Sequence, residues 1–190
     1  MPVEIGKIKY LETLVIYGNT NTSLLPSPYR IGNALAELKY LKNLTISALG
    51  ITTIDKNELK EPCKVLRTLD VSGNNFTSIP YDLTPTNYPE LLNLSLTGNR
   101  RYSSITDLST ETRDNPGLRI DASSSSFKNL LKWEKLKSLS LSYNLIYGQL
   151  PTFINSYNGS LEYGVSAYTD EDILKNDTLM SASDEVKAKL

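Results

Sequence analysis

A short block of apolar and polar positions recurs along this chain, and it is clearest in residues 66–79, LRTLDVSGNNFTSI. Leu69 and Val71 alternate with polar neighbours, which is the period-two pattern of a short strand with one buried face. Phe76 can reach the same apolar interior only if the chain turns sharply after the strand. Asn74 lies at that turn, and its side chain has the donors and the acceptor that unpaired backbone groups require. The block therefore predicts a strand followed by an asparagine-stabilised turn.

Several copies of the block share the spacing L-x-x-L-x-L-x-x-N. The copies are Leu11-Leu14-Ile16-Asn19, Leu41-Leu44-Ile46-Leu49, Leu66-Leu69-Val71-Asn74, Leu91-Leu94-Leu96-Asn99 and Leu136-Leu139-Leu141-Asn144, the second with leucine in the asparagine position. One unit cannot bury its own leucines, so stacked copies must share a core. Gly18, Gly73 and Gly98 occupy one column of the repeat, which indicates tight packing at the turn.

This spacing resembles that of leucine-rich repeat proteins, because several copies have a common period. Residues 136–154, LKSLSLSYNLIYGQLPTFI, are the fullest match to plant-type repeats, which also occur in bacterial cell-surface leucine-rich repeat proteins. The resemblance implies an α/β solenoid. It would be a right-handed leucine-rich repeat with one parallel β-sheet on the concave face, and loops, 3₁₀ turns and short helices on the convex face.

Two parts of the repeat array are irregular. The interval from Leu94 to Leu139 is too long for one repeat, but Leu118 falls 24 residues after Leu94. Gly117–Asp121 is therefore predicted as the strand of a degenerate repeat within the same sheet, and a looped-out insertion is the alternative. Near the end, an eroded repeat is predicted with Leu161 aligned to Leu136 and Gly164 aligned to Leu139.

The domain prediction follows from this pattern. Residues 1–169 form a leucine-rich repeat domain with about six to seven repeats, one of them degenerate near 115–135. Residues 170–190 lose the pattern and are predicted to be a C-terminal cap or tail.

Helical segments are predicted between the strands. Ser27-Pro28 has the residues of a helix start, and Ile31, Leu35 and Leu38 follow it at helical spacing. A turn of helix is also predicted from Asp55. Ser126 is predicted to cap a helix through Phe127, Leu130, Leu131 and Leu136, with Trp133 on its flank.

Composition narrows the possible chemistry. The net charge is −1 and histidine is absent, so there is no support for nucleic-acid binding or for histidine-based catalysis or metal binding. Cys63 is alone and is interpreted as a packing residue. The acidic cluster at residues 170–172 lacks the glycine turn and spacing of a calcium loop. No cofactor, metal or enzymatic activity is predicted, and no apolar run is long enough for a transmembrane helix.

The chain is expected to act at the cell surface or outside the cell. It begins inside a repeat, so a signal or anchor is expected upstream. N-x-S/T sequons occur at Asn21, Asn43, Asn75, Asn93, Asn158 and Asn176. They fit a glycosylated eukaryotic ectodomain, whereas the absence of cysteine caps and the irregular repeat lengths favour a bacterial surface protein.

The resemblance implies a non-catalytic binding module, most often for another protein, with peptide and glycan ligands also seen in the family. The predicted mode is protein–protein interaction through the concave face; the alternative is a structural spacer or adhesin segment of a longer surface protein. Strand alternation gives the candidate partner-binding residues on that face and its adjoining edge. They are Tyr17, Asp70, Arg119, Asp121, Tyr143, Tyr163 and Tyr168.

Overall fold

The computed structural model describes residues 1–18, 30–98, 118–121, 124–141, 144–147 and 160–162. Its strands are β1 (Thr13–Tyr17), β2 (Asn43–Ser47), β3 (Thr68–Asp70), β4 (Asn93–Ser95), β5 (Arg119–Asp121), β6 (Ser138–Ser140), β7 (Leu145–Tyr147) and β8 (Ser160–Glu162). Within these ranges an α-helix, α1, covers Ser125–Leu131, and 3₁₀ helices cover Val3–Lys7, Gly32–Leu35 and Pro62–Lys64.

Six of these strands form one parallel sheet in the order β1-β2-β3-β4-β6-β8. Neighbouring strands pair at the same repeat position, so Leu14 lies beside Leu44, and the series continues through Leu69 and Leu94 to Leu139. This common register follows from the common spacing of the blocks, since each copy presents the same residue to the core. The predicted parallel ladder is confirmed for these five copies.

The prediction that Gly117–Asp121 belongs to this ladder is wrong. Arg119–Asp121 pairs with β7 in a separate two-stranded parallel sheet, and Ile120 lies beside Ile146. The edge of β4 is already occupied by β6, whose Ser140 carbonyl accepts a hydrogen bond from the Leu96 backbone N–H at 2.9 Å. Leu118 and Ile120 are buried, as their alternation predicts. They reach the core from a second sheet, so the prediction of a single sheet is also corrected.

The predicted register of the last repeat is also wrong. Leu161 pairs with Leu139, whereas the sequence alignment placed Leu161 opposite Leu136 and Gly164 opposite Leu139. The strand β8 is therefore centred three residues earlier than predicted. Leu161 therefore holds the register position that the sequence alignment had given to Gly164. Residue 164 and the predicted cap or tail at 170–190 lie outside the described residues.

The core consists of the inward-facing strand residues and the segments that return between strands. Ile31, Leu35 and Leu38 are fully buried, as their spacing predicts, although the helix there is the 3₁₀ helix Gly32–Leu35. The predicted start at Ser27-Pro28 lies outside the described residues. At Asp55 the chain forms a turn in which the Glu58 N–H donates to the Asp55 carbonyl at 3.0 Å.

The predicted helix around Phe127 is confirmed as α1, but it ends at Leu131 and does not continue to Leu136, and its cap differs. Ser124 is the N-cap, with an extended backbone, and its Oγ accepts a hydrogen bond from the Phe127 N–H at 3.2 Å. Ser126, the predicted cap, lies inside the helix. The consecutive serines at 123–126 all have a suitable side chain, so composition alone did not identify the one with extended backbone.

The glycine column is required by the turn that follows each strand. Gly73 and Gly98 have φ of +64°, a left-handed conformation that L side chains adopt at a cost. At Gly18 an added Cβ would lie 2.0 Å from the Ala48 carbonyl oxygen, so no larger residue fits there. The second repeat has Ala48 in this column, with φ of 56°.

The strain at Ala48 gives a testable prediction. We expect Ala48→Gly to raise the free energy of unfolding by roughly 0.5–1 kcal/mol, because relief of left-handed strain outweighs the extra freedom of unfolded glycine. Gly73→Ala is the reciprocal control, since an added Cβ there meets only ordinary contacts, the nearest at 3.5 Å. It should lower stability by a similar amount, roughly 0.5–1 kcal/mol, because the same two terms act in the opposite direction. Urea midpoints measure both changes, and a loss of stability in Ala48→Gly would contradict the argument.

Candidate functional site

One face of the six-stranded sheet, which we call the polar sheet face, is covered mostly by short polar side chains. It consists of Thr13, Val15, Tyr17, Asn43, Thr45, Ser47, Thr68, Asp70, Ser72, Asn93, Ser95, Thr97, Ser138 and Ser140. These residues alternate with the buried leucines, isoleucines and valines, so the period of the strand places them on the opposite side. All are half-buried or exposed.

Hydrogen bonds between neighbouring strands order many of these side chains. Asn43 Nδ2 donates to Thr13 Oγ1 at 3.1 Å, and Asn93 Nδ2 donates to Thr68 Oγ1 at 3.3 Å. The two pairs occupy the same column, because each asparagine lies beside a threonine of the preceding repeat. Such pairs restrict side-chain rotamers before any partner arrives, which lowers the entropic cost of binding.

Hydroxyl groups form a second set of contacts at the carboxyl ends of the strands. Ser47 Oγ and Ser72 Oγ lie 3.2 Å apart, and Thr97 Oγ1 and Ser140 Oγ lie 2.7 Å apart. Each hydroxyl can donate or accept, so the direction of these bonds can change when a ligand binds. The face therefore presents an ordered but adaptable row of hydroxyls.

Asp70 is the charged member of the polar sheet face and lies near its middle. Its Oδ1 accepts a hydrogen bond from the Ser72 N–H at 3.0 Å, which fixes the carboxylate against the strand end. The carboxylate is half-buried between the neighbouring strands. Asp70 therefore offers a fixed acceptor to a donor-bearing ligand.

Asn74 holds the turn beneath this face. Its Nδ2 donates to the carbonyls of Ile46 at 2.7 Å and Val71 at 2.8 Å, and its Oδ1 accepts from the N–H groups of Leu49 and Ile51. The side chain is fully buried. One amide thus joins two adjacent repeats, which confirms the predicted role of the asparagine.

A second asparagine repeats this arrangement across the long interval. Asn144 Nδ2 donates to the Leu141 carbonyl at 2.9 Å and to the Leu96 carbonyl at 2.8 Å. Leu96 belongs to the repeat of β4, so the repeat of β6 packs directly on it. The asparagine bonds and the strand pairing therefore place the same two repeats side by side.

The structure brings together only part of the predicted partner-binding set. Tyr17 and Asp70 lie on the polar sheet face, and Tyr17 is 73% exposed at the end of β1. Arg119 and Asp121 do not lie on this face, because β5 belongs to the other sheet. Their placement there was a consequence of the wrong ladder assignment. The remaining predicted residues lie outside the described part of the chain, namely Tyr143, Tyr163 and Tyr168.

Sequence reasoning missed an exposed aromatic pair. The rings of Tyr10 and Tyr40 stack with a centroid distance of 5.6 Å and an interplanar angle of 25°, and Tyr10 is 81% exposed. Both precede the first leucine of a repeat, in the repeated triplets Lys9-Tyr10-Leu11 and Lys39-Tyr40-Leu41. That repetition was the available signal, because residues at one repeat position become neighbours in space.

The described residues show little chemistry beyond binding. Cys63 is buried, its Sγ lies 3.3 Å from the Lys60 carbonyl oxygen, and burial raises the pKa of the thiol. A raised pKa keeps the thiol protonated and unreactive near neutral pH, which supports its interpretation as a packing residue. In the described ranges no three His, Cys, Asp or Glu residues form a group that could hold a metal ion. Among the helices described, none is long and apolar enough to cross a membrane.

Stacked parallel strands joined by buried asparagine turns define a repeat protein of the solenoid class. The family model Leucine Rich Repeat matches residues 65–85 and 135–157. These matches confirm the predicted leucine-rich repeats in these two segments. Such repeats commonly mediate protein–protein interaction, and the family is generally non-enzymatic.

The fold is also similar to a solved structure, the crystal structure of a plant ice-binding protein. The two chains are 21% identical with a TM-score of 0.52, over 86% of this chain and 44% of that one. This chain therefore spans less than half the length of that protein. The likeness extends to the fold alone. A search of curated proteins gives no match.

Proposed function

We propose that this chain is a non-catalytic module that binds another protein at the cell surface through the polar sheet face. In this proposal the sheet forms the concave side of a right-handed solenoid, and the 3₁₀ helices and α1 lie on the convex side. We further propose that the chain is a surface protein of the bacterial kind, whose repeats these resemble. The observation that carries the proposal is the ordered set of polar groups on five consecutive in-register strands.

The composition of the face supports a partner that binds by hydrogen bonds. The bonded pairs leave further lone pairs and N–H groups exposed, and Asp70 adds a fixed carboxylate acceptor. Tight protein interfaces usually rest on clustered Trp, Tyr and Arg anchors. Among the described residues of this face, Tyr17 is the only one of these types. We therefore propose a polar interface of modest affinity.

A structural spacer or adhesin segment is the second candidate function. The observation in its favour is that the face satisfies many of its own hydrogen bonds, as a solvated surface also would. Such internal pairs join Asn43 to Thr13 and Asn93 to Thr68. A spacer requires a stable ladder but no exposed recognition groups, so only a binding experiment separates the two functions.

Substitution at the centre of the face tests the proposal. Thr45 lies on β2 between Val15 and Asp70 and is half-buried. We expect Thr45→Arg to abolish capture of the partner, because a long charged side chain would cover neighbouring strands. The melting temperature should change little, since the side chain points to solvent. Affinity capture from extracts of candidate partner cells, followed by mass spectrometry, provides the measurement.

Thr52→Arg is the matched control. It makes the same chemical change at an exposed position that follows Ile51 and lies outside the sheet. The control should capture the same protein as the wild type. If Thr45→Arg also captures it, the binding site lies elsewhere on the chain. If the wild type captures no protein that the control resin does not, the spacer function is favoured.

A further inference from the structure

Tight turns precede the strands and form a row along one edge of the solenoid. In the first two repeats the N–H of Leu11 donates to the Ile8 carbonyl at 3.0 Å, and the N–H of Leu41 donates to the Leu38 carbonyl at 3.2 Å. The same turn precedes Leu91 and Leu136. The two residues inside each turn form its tip. They are Lys9-Tyr10, Lys39-Tyr40, Pro89-Glu90 and Glu134-Lys135, and Lys64-Val65 holds the same position in the third repeat.

A second column of residues lies immediately beyond these tips, directly after the first leucine of each repeat. Its members are joined by backbone hydrogen bonds: Lys42 N–H donates to the Glu12 carbonyl at 2.8 Å, and Arg67 N–H donates to the Lys42 carbonyl at 2.7 Å. The tips and this column together form a surface that we call the strand-entry flank. It is distinct from the polar sheet face.

The first repeats of the strand-entry flank carry a flat aromatic platform. Tyr10 and Tyr40 stack on each other, which leaves the outer face of the Tyr10 ring open; Tyr10 is 81% exposed and Tyr40 is 47% exposed. Two stacked tyrosines hold each other's orientation, which leaves a broad apolar surface with polar hydroxyl groups. Exposed aromatic surface of this kind is a candidate for contact with a ligand.

Unpaired cations surround the platform. Within the described part of the chain, three exposed cations of the flank form no ion pair, namely Lys9, Lys39 and Arg67. Lys42, in contrast, forms an ion pair with Glu12, with Nζ 2.9 Å from the carboxylate oxygen. Lys64 likewise pairs with Glu61 at 2.9 Å. The carboxylates of Glu12 and Glu61 are therefore already matched by lysines.

The tips of the later repeats differ from this pattern. Glu90 and Lys135 form an ion pair with each other, at 2.5 Å, and neither tip contains an aromatic residue. Among the described residues of the flank, the excess of positive charge and the aromatic platform are thus confined to the first three repeats. This confinement gives the strand-entry flank one defined region for a ligand.

We propose that this region binds an acidic polysaccharide, a polymer of sugars that carry carboxylate groups. The apolar C–H face of one sugar ring lies on the open face of Tyr10, and carboxylates of adjoining rings pair with Lys39 and Arg67. A guanidinium presents two parallel donors to a carboxylate, so Arg67 gives the directional contact, while the lysines act as point charges. The ligand lies along the row of tips, across the strands.

The same features disfavour other anionic polymers. Nucleic-acid binding depends on many phosphate contacts along a continuous basic stripe, whereas the Glu90–Lys135 ion pair interrupts the positive charge along the described row of tips. An acidic protein segment would be expected to place anchor side chains in pockets, whereas the tyrosine pair forms an open, flat platform. A sugar ring matches both the flat apolar face and the nearby cations.

Titration with an alginate hexasaccharide, in which every ring carries a carboxylate, tests the proposal. In isothermal titration calorimetry we expect binding at 25 mM NaCl. The affinity should fall at least tenfold at 300 mM NaCl, because salt screens the attraction between exposed charges of the protein and the ligand. Cellohexaose, a neutral chain of equal length, should bind at least tenfold more weakly. Tyr10→Ala and Lys39→Glu should each weaken alginate binding at least tenfold, with melting temperatures close to that of the wild type.

Lys56→Glu is the matched control for Lys39→Glu. Lys56 is exposed and lies on the segment after β2, outside the strand-entry flank, and the substitution changes the net charge equally. The control should bind alginate as the wild type does. Equal loss in the control would show a general charge effect and overturn the site. Absence of alginate binding by the wild type would overturn the proposal.

Two further titrations address the class of ligand. A hexamer of glutamate and a thymidine hexanucleotide carry similar negative charge without carboxylated sugar rings. If either binds as tightly as alginate, the proposed sugar recognition is wrong, and the flank is a site for acidic peptides or single-stranded nucleic acid. The Thr45→Arg variant should bind alginate normally, so failure of this proposal and failure of the sheet-face proposal are distinguishable.

Discussion

Replacement of Asn74 by alanine is expected to lower the free energy of unfolding by at least about 3 kcal/mol, because it leaves buried backbone groups of two repeats without partners. The amide of Asn74 serves the carbonyls of Ile46 and Val71 and the N–H groups of Leu49 and Ile51. Each unsatisfied buried group costs about 1–3 kcal/mol. The midpoint of urea unfolding, followed by circular dichroism, measures the loss.

Two variants sharpen this prediction. Asn74→Asp keeps an acceptor for the N–H groups but places negative charge against the two carbonyls, so it should be at least as destabilising as alanine. Asn75→Ala is the control, because within the described structure its buried Oδ1 has no hydrogen-bond partner to lose. Its removal should change stability by less than about 1 kcal/mol. Similar midpoints for Asn74→Ala and Asn75→Ala would contradict the structural role of Asn74.

Trp133→Ala is expected to lower the free energy of unfolding by about 3–5 kcal/mol, since it empties a large buried site. Trp133 follows α1 and is 3% exposed. Its Nε1 donates to the Tyr88 carbonyl at 3.0 Å, and the two rings lie 6.5 Å apart in a tilted arrangement. This side chain therefore joins the repeats on the two sides of the long interval. Thermal and urea unfolding by circular dichroism provide the measurement.

Conservative replacement separates packing from hydrogen bonding at this site. Trp133→Phe keeps an aromatic ring but loses the indole N–H and some volume, so its cost should fall clearly below that of alanine. Lys132→Ala removes an exposed neighbour and should leave the midpoint unchanged. Because Trp133 is the only tryptophan, its fluorescence in the wild type should be blue-shifted in the folded state. A wild-type-like midpoint for Trp133→Ala would show that the residue is not in the core.

The ladder could be predicted from sequence wherever the spacing was regular. Leu44, Leu69 and Leu94 are separated by 25 residues each, and a constant period fixes which residues become neighbours. The alternation around these leucines also identified the residues of the polar sheet face on β2, β3 and β4. These features depend only on local periodicity, which the sequence displays directly.

The placement of Arg119–Asp121 could not be predicted in this way. Alternation shows which side of a strand is buried, and Leu118 and Ile120 are buried as expected. It does not show which strand occupies a given edge. Two strands, β5 and β6, could each have followed β4, and the choice depends on packing of the whole repeat, including the bond from Asn144 to Leu96.

The side-chain contacts of the candidate surfaces could be predicted only with knowledge of the register between repeats. The Asn43–Thr13 bond joins residues that are 30 positions apart in the chain. The stacking of Tyr10 and Tyr40 lies in turns, outside the alternating positions that sequence reasoning used to choose surface residues. Comparing the repeats column by column, including the turns, would have found this pair.

The pairing of β4 with β6 has a consequence for the folding pathway. Leu69 and Leu94 meet after 25 residues, but Leu94 and Leu139 meet only after 45. Loop-closure entropy grows with the logarithm of length, so the longer closure costs only about 0.5 kcal/mol more. Contacts between nearby segments form sooner than distant ones. Strands β1 to β4 are therefore expected to form the nucleus, and the segment from α1 onward docks onto it in a later, slower step.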